Sequence, residues 1–175
     1  MEWRTLIYQI PREPQKNRMA VWRKLKSIGA LNVLQSIWVL PESGEAKIEF
    51  KKLEEQIHSI NGRAINCITN IDNQSKNQNI INDFNGEREA DYKELIGRCR
   101  NFIEEIRSER EKENYNYAEI EENEYELNKL NKWLRKIEKK DYFNCEMKKE
   151  VLEMLETCTE LFNEFSDEIF EKNEK

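Results

Sequence analysis

The sequence predicts an α+β chain, a small sheet-and-helix domain followed by a mainly antiparallel bundle of long helices. The apolar period changes repeatedly within the first seventy residues, from strand-like runs to three-four spacing and back. After residue 79 the three-four spacing is sustained almost to the C-terminus. Charged residues make up 37% of the chain, with only five glycines and three prolines, which favours long exposed helices over loops or disorder.

In chain order, Leu6, Ile7, Tyr8 and Ile10 form a short apolar run that Pro11 closes, the pattern of a buried strand. From Arg18 to Ile28, Val21, Trp22, Leu25 and Ile28 fall on one helical face, with Asn17 as N-cap and Gly29 as the left-handed residue past the end. Trp22 and Leu25 are expected to anchor that helix to the sheet. Leu31 to Leu40 is β-branched, aromatic and apolar up to Pro41. It contains no Asn-Gly or Asp-Gly, so one bent strand with a kink near Gln35-Ser36 and two adjoining strands both remain open. A loop at 42–45 precedes a helix carrying Phe50, Leu53, Ile57 and Ile60, which Asn61-Gly62 ends, and Ala64 to Ile68 is a last strand. Strand, helix, one or two strands, helix, strand fits a ferredoxin-like domain over residues 1–73.

Residues 74–79 are polar and read as a linker, with the helical bundle filling 80–175. Its helices are expected over 87–113 (Tyr92, Leu95, Cys99, Phe102, Ile106), around Tyr125 to Ile137, and from 146 to 170. Apolar stripes this long exceed what a small domain covers, which predicts a homodimer.

The net charge of −6 excludes a uniformly basic nucleic-acid coat, yet the charge is uneven. Arg12, Lys16, Arg18, Arg23, Lys24 and Lys26 face a single acid, Glu13, in the same window. Such a helix suits phosphate contacts, and DNA is the expected partner; a face scattered among acids would instead fit a non-catalytic dimeric interaction protein. No signal peptide is legible and no apolar run reaches the roughly 20 residues that cross a bilayer, so a cytoplasmic protein with no membrane partner is expected.

Catalytic groups are sparse, and no enzyme activity is expected. Cys67, Cys99, Cys145 and Cys158 are scattered without a Cys-x-x-Cys, and His58 is the only imidazole, so neither a metal site nor a cofactor is expected. Glu119, Glu122 and Glu126 share a helical face that could hold a hard cation, but basic residues from Lys129 to Lys136 follow as counter-charges and favour a solvated face.

Several of these residues carry a family resemblance. Tyr8-Gln9-Ile10-Pro11, Arg18 with Val21-Trp22-Arg23 and Leu25, Gly29-Ala30, Gln35-Ser36 and Val39-Leu40-Pro41 resemble the N-terminal domain of the chromate-resistance regulator (ChrB) family. Phe84, Arg88, Tyr92, Leu130, Trp133, Asp141 and Phe143 look like the same family's downstream marks. The resemblance implies transcription regulation, with this region as the DNA-binding part and an oxyanion such as chromate as effector. Longer members continue into a second domain that is not in this sequence; if that domain holds the oxyanion sensor, the expectation is either constitutive DNA binding or a repurposed protein. The small ferredoxin-like endonucleases of CRISPR adaptation are similar in layout, but they place an aspartate at the end of the first strand where this chain has Gln9, a much poorer ligand for a hard divalent metal.

Overall fold

A computed structural model describes residues 1–174. The chain divides into two compact units, the first made of Met1–Gly86 with Lys139–Phe143, the second of Glu87–Glu138 with residues from Asn144 on.

In the first unit, β1 (Glu2–Gln9), β2 (Leu31–Leu34), β3 (Ile37–Pro41) and β4 (Arg63–Asn70) form one sheet in the order β2-β3-β1-β4, every neighbouring pair antiparallel. Between them run α1 (Gln15–Ser27) and α2 (Gly44–Ser59). Residues 31–41 are two strands. A bulge at Val33 and a turn at Gln35-Ser36 separate them, and the Asn32 side-chain amide braces the turn by donating to the Leu34 and Ile37 carbonyls. That bracing replaces the glycine-based turn whose absence left two arrangements open.

One face of the sheet is covered by α1 and α2. Val21 and Leu25 of α1 and Phe50, Leu53 and Ile57 of α2 are buried against Leu6, Trp38 and Leu40. Arg4 of β1 makes a two-pronged ion pair with Glu42, at 2.7 and 2.6 Å, and so ties the central strand to the entry of α2. Ser43 caps that helix by accepting from the Ala46 amide at 3.0 Å.

Both helices end in the same way. Gly29, at φ 71°, follows α1, with the Gly29 and Ala30 amides donating to the Lys26 and Leu25 carbonyls. Asn61, at φ 59°, follows α2, with the Asn61 and Gly62 amides donating to the His58 and Ile57 carbonyls. A Cβ on Gly62 would lie 2.6 Å from Ile57 Cγ2 and 2.9 Å from the Gln9 carbonyl oxygen, so the chain can pass here only as glycine. At the start of α1 the N-cap is Pro14, not Asn17, and the helix begins three residues earlier than its apolar period suggested.

The other face of the sheet carries a second cluster of Trp3, Leu31, Val39 and Phe84, with Ile80, Ile81 and Phe143 packed on it. Trp3 and Phe84 stack with ring centroids 5.8 Å apart and planes 4° from parallel. Phe84 belongs to α3 (Gln74–Glu111), so residues 74–79 are helix and not linker. Asn73 accepts from the Lys76 amide, and Asn77 accepts from the Trp3 indole while donating to the Ile71 carbonyl. The asparagines that suggested a linker therefore cap the helix and bind it to the sheet. Farther along this face, Leu34 pairs with Ile37, Ile37 with Ile7, and Ile7 with Ile65, making an aliphatic row across all four strands. Its ends are open, with Leu34 66% and Ile65 61% exposed.

In the second unit, the rest of α3 packs with α4 (Tyr117–Glu138) and α5 (Met147–Asn173) around Tyr92, Cys99, Phe102, Ile106, Leu130, Ile137, Val151 and Phe165. Arg100 pairs with Glu150, and Arg110 with Glu164 and Glu168, so α5 runs in the same direction as α3. The stripes expected to demand a partner are thus buried against one another within this unit. Beyond residue 70 no strand occurs among the described residues.

Candidate functional site: the flank and exposed face of α1

Turning about 100° per residue, α1 distributes its basic side chains over three sides. Val21 and Leu25 hold the helix to the sheet, both wholly buried. Trp22 does not: its side chain is 44% exposed, because it lies one step round from the core stripe. Arg12, Lys16, Arg18 and Arg23 are exposed, and no carboxylate among the described residues pairs with them. Lys24 turns toward α2 and pairs with Glu49 at 2.5 Å, and Lys52 reaches the same carboxylate at 3.0 Å. The ammonium groups of Lys24 and then Lys52 hold Glu49 below the usual glutamate range, against the smaller opposing effect of burial. Lys26 lies over the Trp38 ring, 5.7 Å from its centroid. Two of the six basic residues are therefore engaged within the fold.

Beside α1 lies an open groove of about 510 Å³. The end of β1 forms its floor with Tyr8, Gln9 and Ile10, and the β2–β3 turn closes one side with Gln35 and Ser36. Arg12, Gln15, Arg18, Met19 and Trp22 line the helix side. None of these ten residues is acidic, in a chain whose net charge is −6. Burial raises the Tyr8 phenol above its ordinary pKa, opposed by the nearby Trp38 indole and by the Arg18 charge. Gln9, at the end of β1, stands opposite Arg63 of β4. The position at which an aspartate would hold a metal thus presents an amide beside a guanidinium.

The remaining candidates have structural surroundings. His58 is exposed in the last turn of α2, where its carbonyl accepts the capping amide of Asn61. Glu126 pairs with Lys129, and Glu119 accepts from the Asn114 side chain, which also donates to Glu109. Glu119 is raised above the usual range by burial and then by the Glu109 charge. All four cysteines are free thiols, and Cys158 donates to the Cys99 carbonyl at 3.6 Å inside the helical unit.

Sequence spacing found the basic residues but missed the groove. Its floor and side wall come from β1 and the β2–β3 turn, which only the strand pairing brings to α1. A usable signal existed in Arg18 and Trp22, four residues apart and therefore neighbours on the helix surface.

A family model described as "Protein ChrB, N-terminal" matches residues 18–175. It begins at Arg18, so Arg18, Arg23, Lys24 and Lys26 lie inside the matched stretch and Arg12 and Lys16 precede it. No curated protein and no solved structure matches the chain.

Proposed function

Because the chain belongs to the ChrB N-terminal domain family, we propose that it serves chromate resistance as the DNA-contacting part of a transcription regulator. The observation that carries this reading is the set of four exposed basic side chains, Arg12, Lys16, Arg18 and Arg23, left without carboxylate partners on one short stretch. Phosphates are the natural counter-charge, and a helix fixed by Val21 and Leu25 holds Lys16, Arg18 and Arg23 on an ordered backbone, so binding orders less than it would on a flexible tail. Lys24 and Lys26 extend the patch only as far as Glu49 and Trp38 release them. The strand order and the two helices on one face support a ferredoxin-like first domain, with the helical unit as its companion.

In this reading the protein is non-catalytic and cytoplasmic; no helix among the described residues is long and apolar enough to cross a membrane. An oxyanion such as chromate is the proposed effector, and a homodimer formed through the Leu34–Ile37–Ile7–Ile65 row is the proposed assembly. The Lys24–Glu49 pair favours a second reading, an interaction protein without DNA binding, since it removes a charge from the basic face.

A salt titration against duplex DNA from upstream of the protein's own gene separates the two. Phosphate binding makes log affinity fall linearly with log salt. Changing Arg18 and Arg23 together to glutamine should weaken all sequences alike and flatten the slope by about 0.9 for every phosphate no longer neutralised. An unchanged affinity and slope would favour the interaction protein.

A further inference from the structure

The groove beside α1 holds more than charge. Trp22 and Met19 leave apolar surface open beside two guanidinium groups, and Gln15 and Gln35 add amides that both donate and accept. An indole face, adjacent arginines and no acid form a combination suited to a planar ring linked to an anion. In intact duplex DNA the base faces are stacked inside and only their edges are open, so Trp22 would have no ring face to meet. An unpaired nucleotide offers both parts, a face for stacking and a phosphate for arginine. A small oxyanion alone would leave the Trp22 and Met19 walls without a partner.

We infer that this groove receives one unstacked nucleotide of a DNA strand, its base against Trp22, its edge toward the glutamine amides and its phosphate toward Arg12 and Arg18. The inference rests on the DNA-binding reading and adds to it a preference for single-stranded or locally opened DNA. Basic residues on the outer side of α1, Lys16 and Arg23, serve duplex and single strand alike, whereas Trp22 serves only the opened strand.

The test uses the whole chain, a labelled oligodeoxythymidylate and a mixed-sequence hairpin duplex, with anisotropy as readout. Base–aromatic stacking predicts that Trp22→Ala lowers affinity for the oligodeoxythymidylate by about 5- to 150-fold, with a much smaller loss for the hairpin. Trp22→Phe should recover most of that loss, since it keeps a ring face. Thermal melts of both variants check folding, which should persist because Trp22 lies outside the core. If Trp22→Ala binds the oligodeoxythymidylate as tightly as the wild type, the inference is overturned, and the regulator reading stands if Arg18→Gln with Arg23→Gln still weakens the hairpin. Thymidine monophosphate competing as well as the strand, at equal nucleotide concentration, overturns the strand in favour of a free nucleotide. Absence of binding to both DNA forms overturns the inference and the regulator together.

Discussion

Glu49 and Glu119 are carboxylates with opposite consequences for stability. Lys24 and Lys52 favour the ionised form of Glu49 in the folded state, so its pKa is depressed there. The stability it contributes is full above the unfolded value of about 4.3 and is lost as pH falls through the folded one. Glu119 is raised by burial and by Glu109, so ionising it costs stability at neutral pH, a cost that disappears below the unfolded value. Glu49→Gln should therefore lower the urea midpoint at about pH 7 and Glu119→Gln should raise it, with both differences closing by about pH 3. Parallel shifts in the two variants would contradict this sign. At this scale the sequence was partly legible: Gly29 was recognisable as a left-handed cap from its position after the apolar stripe. Trp22 misled because its three-four spacing is shared by the core stripe and its neighbouring flank, and periodicity does not separate adjacent positions on a helix.

The first turns of α3 give a sharper case at the scale of an element. Ile80, Ile81 and Phe84 pack on the sheet, and Phe84 stacks on Trp3. Phe84→Ala should cost about 3–5 kcal/mol in denaturant unfolding, the usual range for a buried phenylalanine. A cost under about 0.5 kcal/mol, the surface norm, would mean that this stretch contributes no packing. The long helices were visible because their stripes repeat over many turns. The start of α3 was hidden because asparagine is a weak helix former whose caps and cross-links appear only with a partner: Asn77 means little in the sequence until Trp3 stands beside it. The same holds for Asn32, whose side chain makes the β2–β3 turn that the backbone sequence does not announce.

For the molecule as a whole, the order of elements was readable from changes of period, and that order, strand, helix, one or two strands, helix, strand, fitted an antiparallel sheet with two helices on one face. What stays exposed was not readable, since the row from Leu34 to Ile65 exists only once four strands are in register. A dimer built through that row should become monomeric in light scattering when Leu34 and Ile65 are both changed to lysine, with melting little altered because both lie in the open. A dimer that survives the double change would place the interface elsewhere. The end of α2 carries one more consequence, for the protein's chemical ageing. Asn61-Gly62 is a pair prone to lose its side-chain amide, through attack of the glycine nitrogen on the asparagine carboxamide. Here that nitrogen is held by the Ile57 carbonyl at 2.9 Å, and the bend is fixed by the left-handed Asn61. Conversion of Asn61 to aspartate or isoaspartate should therefore proceed only from molecules whose α2 terminus has opened, at a rate set by how often it opens. Mass spectrometry of the peptide spanning 61–62 should find it intact in incubated native protein and converted in urea, and equal rates in the two would mean that the cap does not protect it.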